Sequence, residues 1–272
     1  MLLLPECKMT FICGPVASGK TYLIRDWIAK DNHHVIFDGT GEFLDDEREQ
    51  IWANPRALYE RIKANPYCYR IVYQPGIHRE EDFAWVLKAM WWIDQPKLLV
   101  CDEFHEICPV SYKTDEVEMM LRFARHDKLG FVGASQRIAD VNRLYTSACR
   151  MVVLFQTNEA RDLEAIDERW RCARMVQELR PLLHDEIGNV TRQIPQALVI
   201  EKGRQPYVYD FSTGTAIKKT DNEVQSRAGE NEREEGSTGT LGDDEGIDSG
   251  DEESTGGEAG DESNSPPPSE GV

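Results

Sequence analysis

No stretch of the 272 residues approaches the roughly 18 consecutive apolar residues that a membrane-spanning helix needs. The opening Met1-Leu2-Leu3-Leu4-Pro5 has neither the charged segment nor the length of a secretory signal, so a soluble, intracellular chain with no transmembrane segment of its own is expected. Paired cysteines are missing too. The seven thiols, at positions 7, 13, 68, 101, 108, 149 and 172, are odd in number and include no C-x-x-C, which speaks against a disulfide framework and for reduced cysteines. Cys101, His105 and Cys108 follow no standard zinc spacing and are expected to be core and loop residues. Basic charge is scarce: 31 Lys and Arg face 49 Asp and Glu, a formal net charge of −18. Passive wrapping of nucleic acid runs on a basic excess, so any contact with DNA must be local.

The acidity is unevenly spread. From Asp221 onward the chain has 17 acids, 2 bases and no aromatic residue, and Ser263-Asn264-Ser265-Pro266-Pro267-Pro268 lies near its close. Such a segment buries too little apolar surface to offset its ordering entropy. Residues 216–272 are therefore expected to be a disordered acidic Gly/Ser/Pro-rich tail, solvating in the first place, with docking on a basic partner or mimicry of nucleic acid as alternatives. Residues 1–215 then form one domain whose charge is close to neutral.

In that domain the octapeptide Gly14-Pro15-Val16-Ala17-Ser18-Gly19-Lys20-Thr21 follows the apolar run Met9-Thr10-Phe11-Ile12-Cys13 and precedes the helix-forming Tyr22 to Ile28. It satisfies G-x-x-x-x-G-K-[ST], a loop whose backbone N–H groups surround phosphate oxygens. Gly14 and Gly19 permit the turn, Lys20 reaches the outer phosphates, and the Thr21 hydroxyl ligates Mg²⁺ from a helix start whose dipole favours the anion. ATP and Mg²⁺ are the expected cofactors.

Beyond the loop, short apolar runs alternate with amphipathic stretches, the pattern of a mostly parallel sheet covered by helices. Strands are expected at His34–Asp38, Tyr69–Tyr73, Lys97–Asp102, Gly130–Ser135 and Arg150–Gln156. Helices are expected at Arg56–Ala64, with Asn54 as N-cap and Pro55 at the first helical position, at Glu80–Asp94, at Asp115–Arg125 and at Glu159–Arg180. Ala197–Ile200 and Tyr207–Tyr209 read as a hairpin, and the fold is expected to end near residue 212. Trp85, Trp91 and Trp92 are expected to pack in the core, a subunit interface being the alternative.

Asp102 emerges from the buried run Leu98-Leu99-Val100-Cys101 at the carboxyl end of a strand, where ligands bind in open α/β sheets, and is the expected metal-side carboxylate. Glu103 beside it is placed to orient and deprotonate an attacking water. Gln136, after the strand that ends at Ser135, either senses the γ-phosphate or holds the water, or else is a plain turn residue.

The set GPVASGKT, Asp38-Gly39-Thr40-Gly41-Glu42-Phe43, LLVCDE and GASQR, in this order along the chain, resembles the FtsK/HerA superfamily of ring-forming DNA-pumping ATPases. Asp38, Gly41, Glu42 and Phe43 match its D-x-x-G-E-[YF] element, and Ser135-Gln136-Arg137 matches its [TS]-Q-R; the similarity spans about residues 8–156. The resemblance implies an additional-strand P-loop NTPase acting as a homo-oligomeric ring, a hexamer by analogy, with Asp38 and Glu42 at the nucleotide site. It also implies an arginine supplied by a neighbouring subunit, for which Arg122 and Arg125 are the candidates and Arg137, Arg143 and Arg150 the competitors. Without room for the extra modules of cellular members, the chain looks like the genome-packaging ATPases of internal-membrane double-stranded DNA viruses.

That likeness makes an ATP-driven translocase of double-stranded DNA the leading expectation, in the host cytoplasm or at a packaging vertex of the virion, beside capsid-vertex or viral membrane proteins. The alternatives are a nucleotide-dependent virion assembly or secretion ATPase acting on proteins, and a small-molecule kinase, against which Glu103 argues because kinases exclude water. DNA contacts are sought in the loop Pro109–Lys113 and at Arg161, Arg169, Arg171 and Arg174, whose interleaved acids equally suit a salt-laced exposed helix.

Overall fold

The computed structural model describes residues 2, 8–44, 48–111, 114–124, 128–182 and 195–217. The chain divides into two units, Met1–Thr220 and Asp221–Val272, and all described residues lie in the first. Residues 218–272 of the acidic tail, and with them the expectation of disorder, fall outside the described residues.

Strands β1 (Met9–Cys13), β2 (His33–Phe37), β3 (Glu49–Trp52), β4 (Tyr69–Gln74), β5 (Lys97–Cys101), β6 (Leu129–Ser135), β7 (Met151–Phe155), β8 (Gln196–Glu201), β9 (Tyr207–Asp210) and β10 (Thr215–Ile217) form one sheet. Their order is β10-β9-β8-β7-β1-β6-β5-β2-β4-β3. From β7 to β3 every neighbouring pair is parallel, and β8 to β10 add an antiparallel meander at the other side. Every residue of β1, β5, β6 and β7 is buried, as near-continuous apolar runs demand when both faces of a parallel sheet are covered.

The helices are α1 (Lys20–Ile28), α2 (Pro55–Ala64), α3 (Arg79–Trp91), α4 (Asp115–Phe123), α5 (Arg143–Ala148), α6 (Ala160–Trp170) and α7 (Ala173–Gln177). Period-two alternation along each strand divides the core in two. Phe11, Leu99, Cys101 and Phe131 face a cluster with Leu58, Phe83, Met120 and Ile166 of the helices, whereas Ile12, Val100, Val132 and Val153 face Leu23, Ile24, Trp27 and Ile28 of α1. The Asn54 side chain caps α2 by accepting from the Ala57 N–H, with Pro55 following it, and Thr114 caps α4 through the Val117 N–H.

The structure departs from the sequence reading at elements with little burial. β3 has one buried residue, Ile51, and β10 none, so neither carries an alternating pattern; β10 also carries regular structure past residue 212 and across the 215/216 boundary. The stretch expected as one helix from Glu159 breaks at Arg171, whose φ of 55° is left-handed, and resumes as α7. Core packing of the tryptophans is overturned for two of them: Trp85 is 57% and Trp92 79% exposed, because the opposite face of α3 already supplies Phe83, Val86, Leu87 and Met90 to the core. The six described cysteines are outside any disulfide. No helix among the described residues is long and apolar enough to cross a membrane.

β6 separates the strand before the glycine-rich loop, β1, from the strand before the paired acids, β5, and Tyr145 from α5 ties it to β1. The fully buried tyrosine accepts from the Gly133 N–H at 3.0 Å and donates to the Thr10 carbonyl at 2.7 Å, within rings of Phe11, Phe104 and Phe131. A Cβ on Gly133 would lie 2.7 Å from that hydroxyl and 3.1 Å from the Phe104 ring, so the close approach requires glycine. Tyr145→Phe should destabilise the protein by about 1–3 kcal/mol, the penalty for losing a buried polar partner. Urea denaturation would read this as a lower midpoint at unchanged slope.

Candidate functional site

β1, β2, β5 and β6 run parallel, so the segments that follow Cys13, Phe37, Cys101 and Ser135 all leave the same edge of the sheet. The loop from Gly14 to Gly19 turns with left-handed backbone at Ala17 (φ 60°) and Gly19 (φ 106°), and α1 begins at Lys20. Gly14 has no space for a side chain: a Cβ there would stand 2.6 Å from Phe155 Cβ and 2.7 Å from Ser18 Oγ. Ser18 Oγ is buried over it and makes no hydrogen bond among the described residues. Lys20 is buried, its ammonium donating to the carbonyls of Gly14 at 2.8 Å and Pro15 at 3.0 Å. Pro15 and Val16 are exposed at the crest.

Asp38 is fully buried and organises the loop after β2. Its Oδ1 accepts from the N–H groups of Thr40, Gly41 and Glu42 at 3.2, 2.8 and 3.2 Å, and its Oδ2 from the Phe43 N–H at 2.9 Å and Gln74 Nε2 at 3.1 Å. Both oxygens are committed to the protein, so Asp38 positions this loop. What it positions is at the site: the Thr21 hydroxyl donates to Glu42 Oε2 at 2.6 Å, and the Thr40 hydroxyl lies 3.1 Å from Asp102 Oδ2. Thr40 joins the site without a sequence signal of its own, since the x positions of that motif specify no chemistry.

The neighbouring acids Asp102 and Glu103 differ in electrostatics. Burial, with Glu103 and Glu42 nearby, pushes the Asp102 carboxyl up to about 6 against the opposing Thr40 hydrogen bond. Burial also acts to raise Glu103, but the adjacent His105, the hydrogen bond from Gln136 and the charge of Lys20 outweigh it and hold the carboxyl below the usual range. Glu103 has left-handed backbone, φ 50°, strain of the kind that collects at functional sites. Its Oε1 accepts from Gln136 Nε2 at 2.6 Å. Its buried Oε2 makes no full hydrogen bond; His105 Nδ1 stands 3.3 Å away and the same nitrogen is 3.3 Å from the Ser135 hydroxyl. One carboxylate oxygen is thus aimed and fixed, and the other keeps acceptor capacity for a water.

The remaining sequence candidates are dispersed. Arg122 is exposed on the last turn of α4 and pairs with Glu118 one turn back. Arg125, Tyr112 and Lys113 lie outside the described residues. Arg137 is bound to α6 through Asp162 at 3.2 Å and Glu159 at 3.3 Å, and Arg143 stands 3.9 Å from Glu168. Arg169 is half-buried and donates to the Thr146 hydroxyl at 3.2 Å, which makes it a structural clamp rather than an open DNA contact. Arg174 pairs with Glu178 at 3.1 Å.

An apolar cleft of about 520 Å³ opens beside Gly19, walled by Tyr22 of α1, Phe155 at the end of β7, and Pro195, Tyr209 and Phe211 of the antiparallel meander. Phe155 and Phe211 stack at 5.9 Å and 13°, and Tyr22 is 77% exposed. Sequence reasoning missed this wall because its members come from four separate segments and belong to no motif; the position of Tyr22, next to Thr21, was the available clue.

A loop of this shape between a strand and a helix, with β6 inserted between its strand and that of the paired acids, defines a P-loop NTPase of the additional-strand class. No protein-family model matches the sequence, and no curated protein matches it either. Among solved structures the chain is similar to the genome packaging NTPase B204 from Sulfolobus turreted icosahedral virus 2. The sulfate complex of B204 aligns with a TM-score of 0.61 at 16% identity, covering 80% of this chain and 100% of that one. Its AMPPCP complex aligns at 0.58 and 18%, covering 78% and 96%. The pCW3 conjugation coupling protein TcpA with ATPgS aligns at 0.50 and 12%, covering 82% of this chain and 65% of that one. At such identities the likeness establishes the fold, which is the fold that the motif resemblance implies.

The raised Asp102 carboxyl has a testable sign. Between about pH 4 and 6 the folded state holds this proton more tightly than the unfolded chain, so stability without nucleotide falls as pH rises through that window, and the cost of ionising is fully present above pH 6. Asp102→Asn should therefore be more stable than the parent at pH 8, by about 3 kcal/mol, with the difference shrinking towards pH 4. Urea titrations in the absence of nucleotide and metal measure it.

Proposed function

We propose that the chain is an ATP hydrolase that drives translocation of double-stranded DNA, packaging a viral genome into a preformed capsid. The observation that carries the reading is the convergence, at one sheet edge, of an anion-binding loop, a carboxylate for the metal side and a second carboxylate with a free acceptor oxygen. Likeness in fold to a viral genome packaging NTPase supports the direction of the work.

The residues fit the chemistry. Phosphate oxygens would take the N–H groups of the loop and the unpartnered Ser18 hydroxyl, and Lys20 would exchange the Gly14 and Pro15 carbonyls for the outer phosphates. Mg²⁺, when bound with the nucleotide, supplies charge neutralisation of the β- and γ-phosphates. Thr21 and Asp102 would hold it, and Glu42 is placed to orient Thr21. No three metal-ligating side chains converge in advance among the described residues, which suits a cation that is carried in by phosphates and waters. Glu103 orients the attacking water and takes its proton on Oε2, while Gln136 fixes the carboxylate and feels whether the γ-phosphate is in place. The base would lie on the aromatic wall beside Tyr22 and Phe211.

In this reading the motor is a homo-oligomeric ring, a hexamer by analogy, in which Arg122 or Arg125 completes the neighbour's site. It works in the host cytoplasm or at the packaging vertex, with double-stranded DNA as the transported partner and capsid-vertex or viral membrane proteins beside it.

The deciding measurement is ATP turnover with and without linear double-stranded DNA, in parent and Glu103→Gln protein. DNA should stimulate the parent, and the variant should lose about 100-fold or more in kcat while still binding ATP. Turnover indifferent to DNA, in a protein shown to be assembled, would shift the reading to an ATPase that acts on protein partners. A separate test addresses the base wall. Phe211→Ala should weaken ATP about tenfold, in keeping with the loss of one stacking partner, and leave inhibition by inorganic tripolyphosphate unchanged.

A further inference from the structure

Helices α2 and α3 pack against one another, and their solvent faces enclose a groove that shares no lining residue with the site above. Its larger hollow, about 600 Å³, is lined by Pro55, Arg56 and Tyr59 of α2 and by Trp85, Lys88 and Ala89 of α3 with Trp92 just beyond. It continues through Tyr59, Ala89 and Trp92 into a second hollow of about 320 Å³ that reaches Tyr67 and Lys63. Trp85, Trp92 and Tyr67 are 57, 79 and 69% exposed, an apolar area that a chain standing alone would cover.

The pattern is specific in two ways. Arg56, Tyr59 and Lys63 recur at i, i+3 and i+7 on α2, as do Trp85, Lys88 and Trp92 on α3, so two parallel stripes face the same groove. The charge lining the larger hollow is basic, Arg56 and Lys88. No carboxylate lines the larger hollow, and Asp94 in the smaller one is paired with Lys128 at 3.0 Å. Lys88 shares its charge with Glu116 at 3.2 Å, and Arg56 and Lys63 have no acidic partner among the described residues.

We propose that the groove docks an amphipathic helix of a partner protein, with aliphatic side chains seated between Trp85 and Trp92 and flanking carboxylates on Arg56 and Lys63. Stacked nucleobases suit it less. The chain's own ammonium groups already lie over the aromatic faces, Lys88 at 5.1 Å from the Trp85 centroid and Lys63 at 5.8 Å from that of Tyr59, which leaves apolar walls and ring edges for the ligand. An elongated apolar groove flanked by basic groups is the receptor side of the helix-in-groove mode, in which the ligand supplies the apolar anchors. α3 also starts at Arg79, which donates to the Gly39 carbonyl at 3.2 Å and pairs with Glu106, so the docked helix would sit on an element anchored to the loops of Thr40 and Glu103.

The test uses the full chain and three synthetic helical peptides of equal length with one leucine stripe, flanked by Glu, by Gln or by Lys, read by fluorescence anisotropy at low and high salt. The Glu peptide should bind at least about tenfold tighter than the Lys peptide, and its binding should weaken with salt. Trp92→Ala and the pair Arg56→Glu and Lys63→Glu should each lose it, with ATP turnover in the absence of peptide unchanged and circular dichroism confirming the fold. Equal binding of the Glu and Lys peptides, or full binding by Trp92→Ala, would overturn the proposal. So would sedimentation showing that Trp92→Ala breaks an assembly of this chain, which would give the groove to a second copy, or a loss of double-stranded DNA binding in these variants, which would give it to nucleic acid.

Discussion

Cys13 is paired with Ser135, Gly133 with Cys101, and Cys101 with Phe37, across four parallel strands whose backbone hydrogen bonds leave no freedom to slide. Every distance at the site follows from that register. Because side chains alternate between faces, a slip of one residue would exchange the two cores and turn Glu103 away from Gln136. Burial of both faces holds the register in place: Phe11, Leu99 and Phe131 cannot trade places with Ile12, Val100 and Val132 without emptying the cluster around Phe83 and Phe104 or crowding α1. Tyr145, bonded to both β1 and β6, and Gly133, which makes room for it, act at the same joint.

On that frame the polar groups are arranged in a chain of command. Asp38, buried between its own loop and Gln74 of β4, accepts chiefly from backbone N–H groups and so fixes Thr40 and Glu42, which in turn contact Asp102 and Thr21. The adjacent acids are driven apart by their surroundings, Asp102 upwards by burial and like charge, Glu103 downwards by His105 and Gln136. Two carboxyls adjacent in the chain thus differ in their affinity for a proton.

Much of this was legible in the order of residues. Gly14 to Thr21 can hardly be other than a phosphate loop after five apolar residues, and Asp102 and Glu103 were placed at a strand end by the run that precedes them. The central strands were readable because burial on both faces leaves an unbroken apolar signature. β3 and β10 were not, since edge strands with one buried residue or none carry no such signature, and the turn at Arg171 depends on a backbone angle that arginine seldom adopts. For α3 the tryptophans misled: apolar on both faces, the helix gives no hint of which side meets the sheet, and only packing revealed that Trp85 and Trp92 are left outside.

The sequence by itself determined the local chemistry, because a glycine-rich loop, a helix cap or an acid after a buried strand acts within a few residues of itself. It also determined the alternation of strands and helices, through the periods of two and 3.6 that each element must show to bury one face. Tertiary structure alone decided which distant groups meet. That Asp38 holds the loop of Thr40 and Glu42, that Thr40 reaches Asp102, that Gln136 and His105 flank Glu103, and that Tyr22, Phe155 and Phe211 make one wall are all consequences of strand order. Strand order is set by the closing of two cores around one sheet, a sum over the whole domain that no short window of the chain contains.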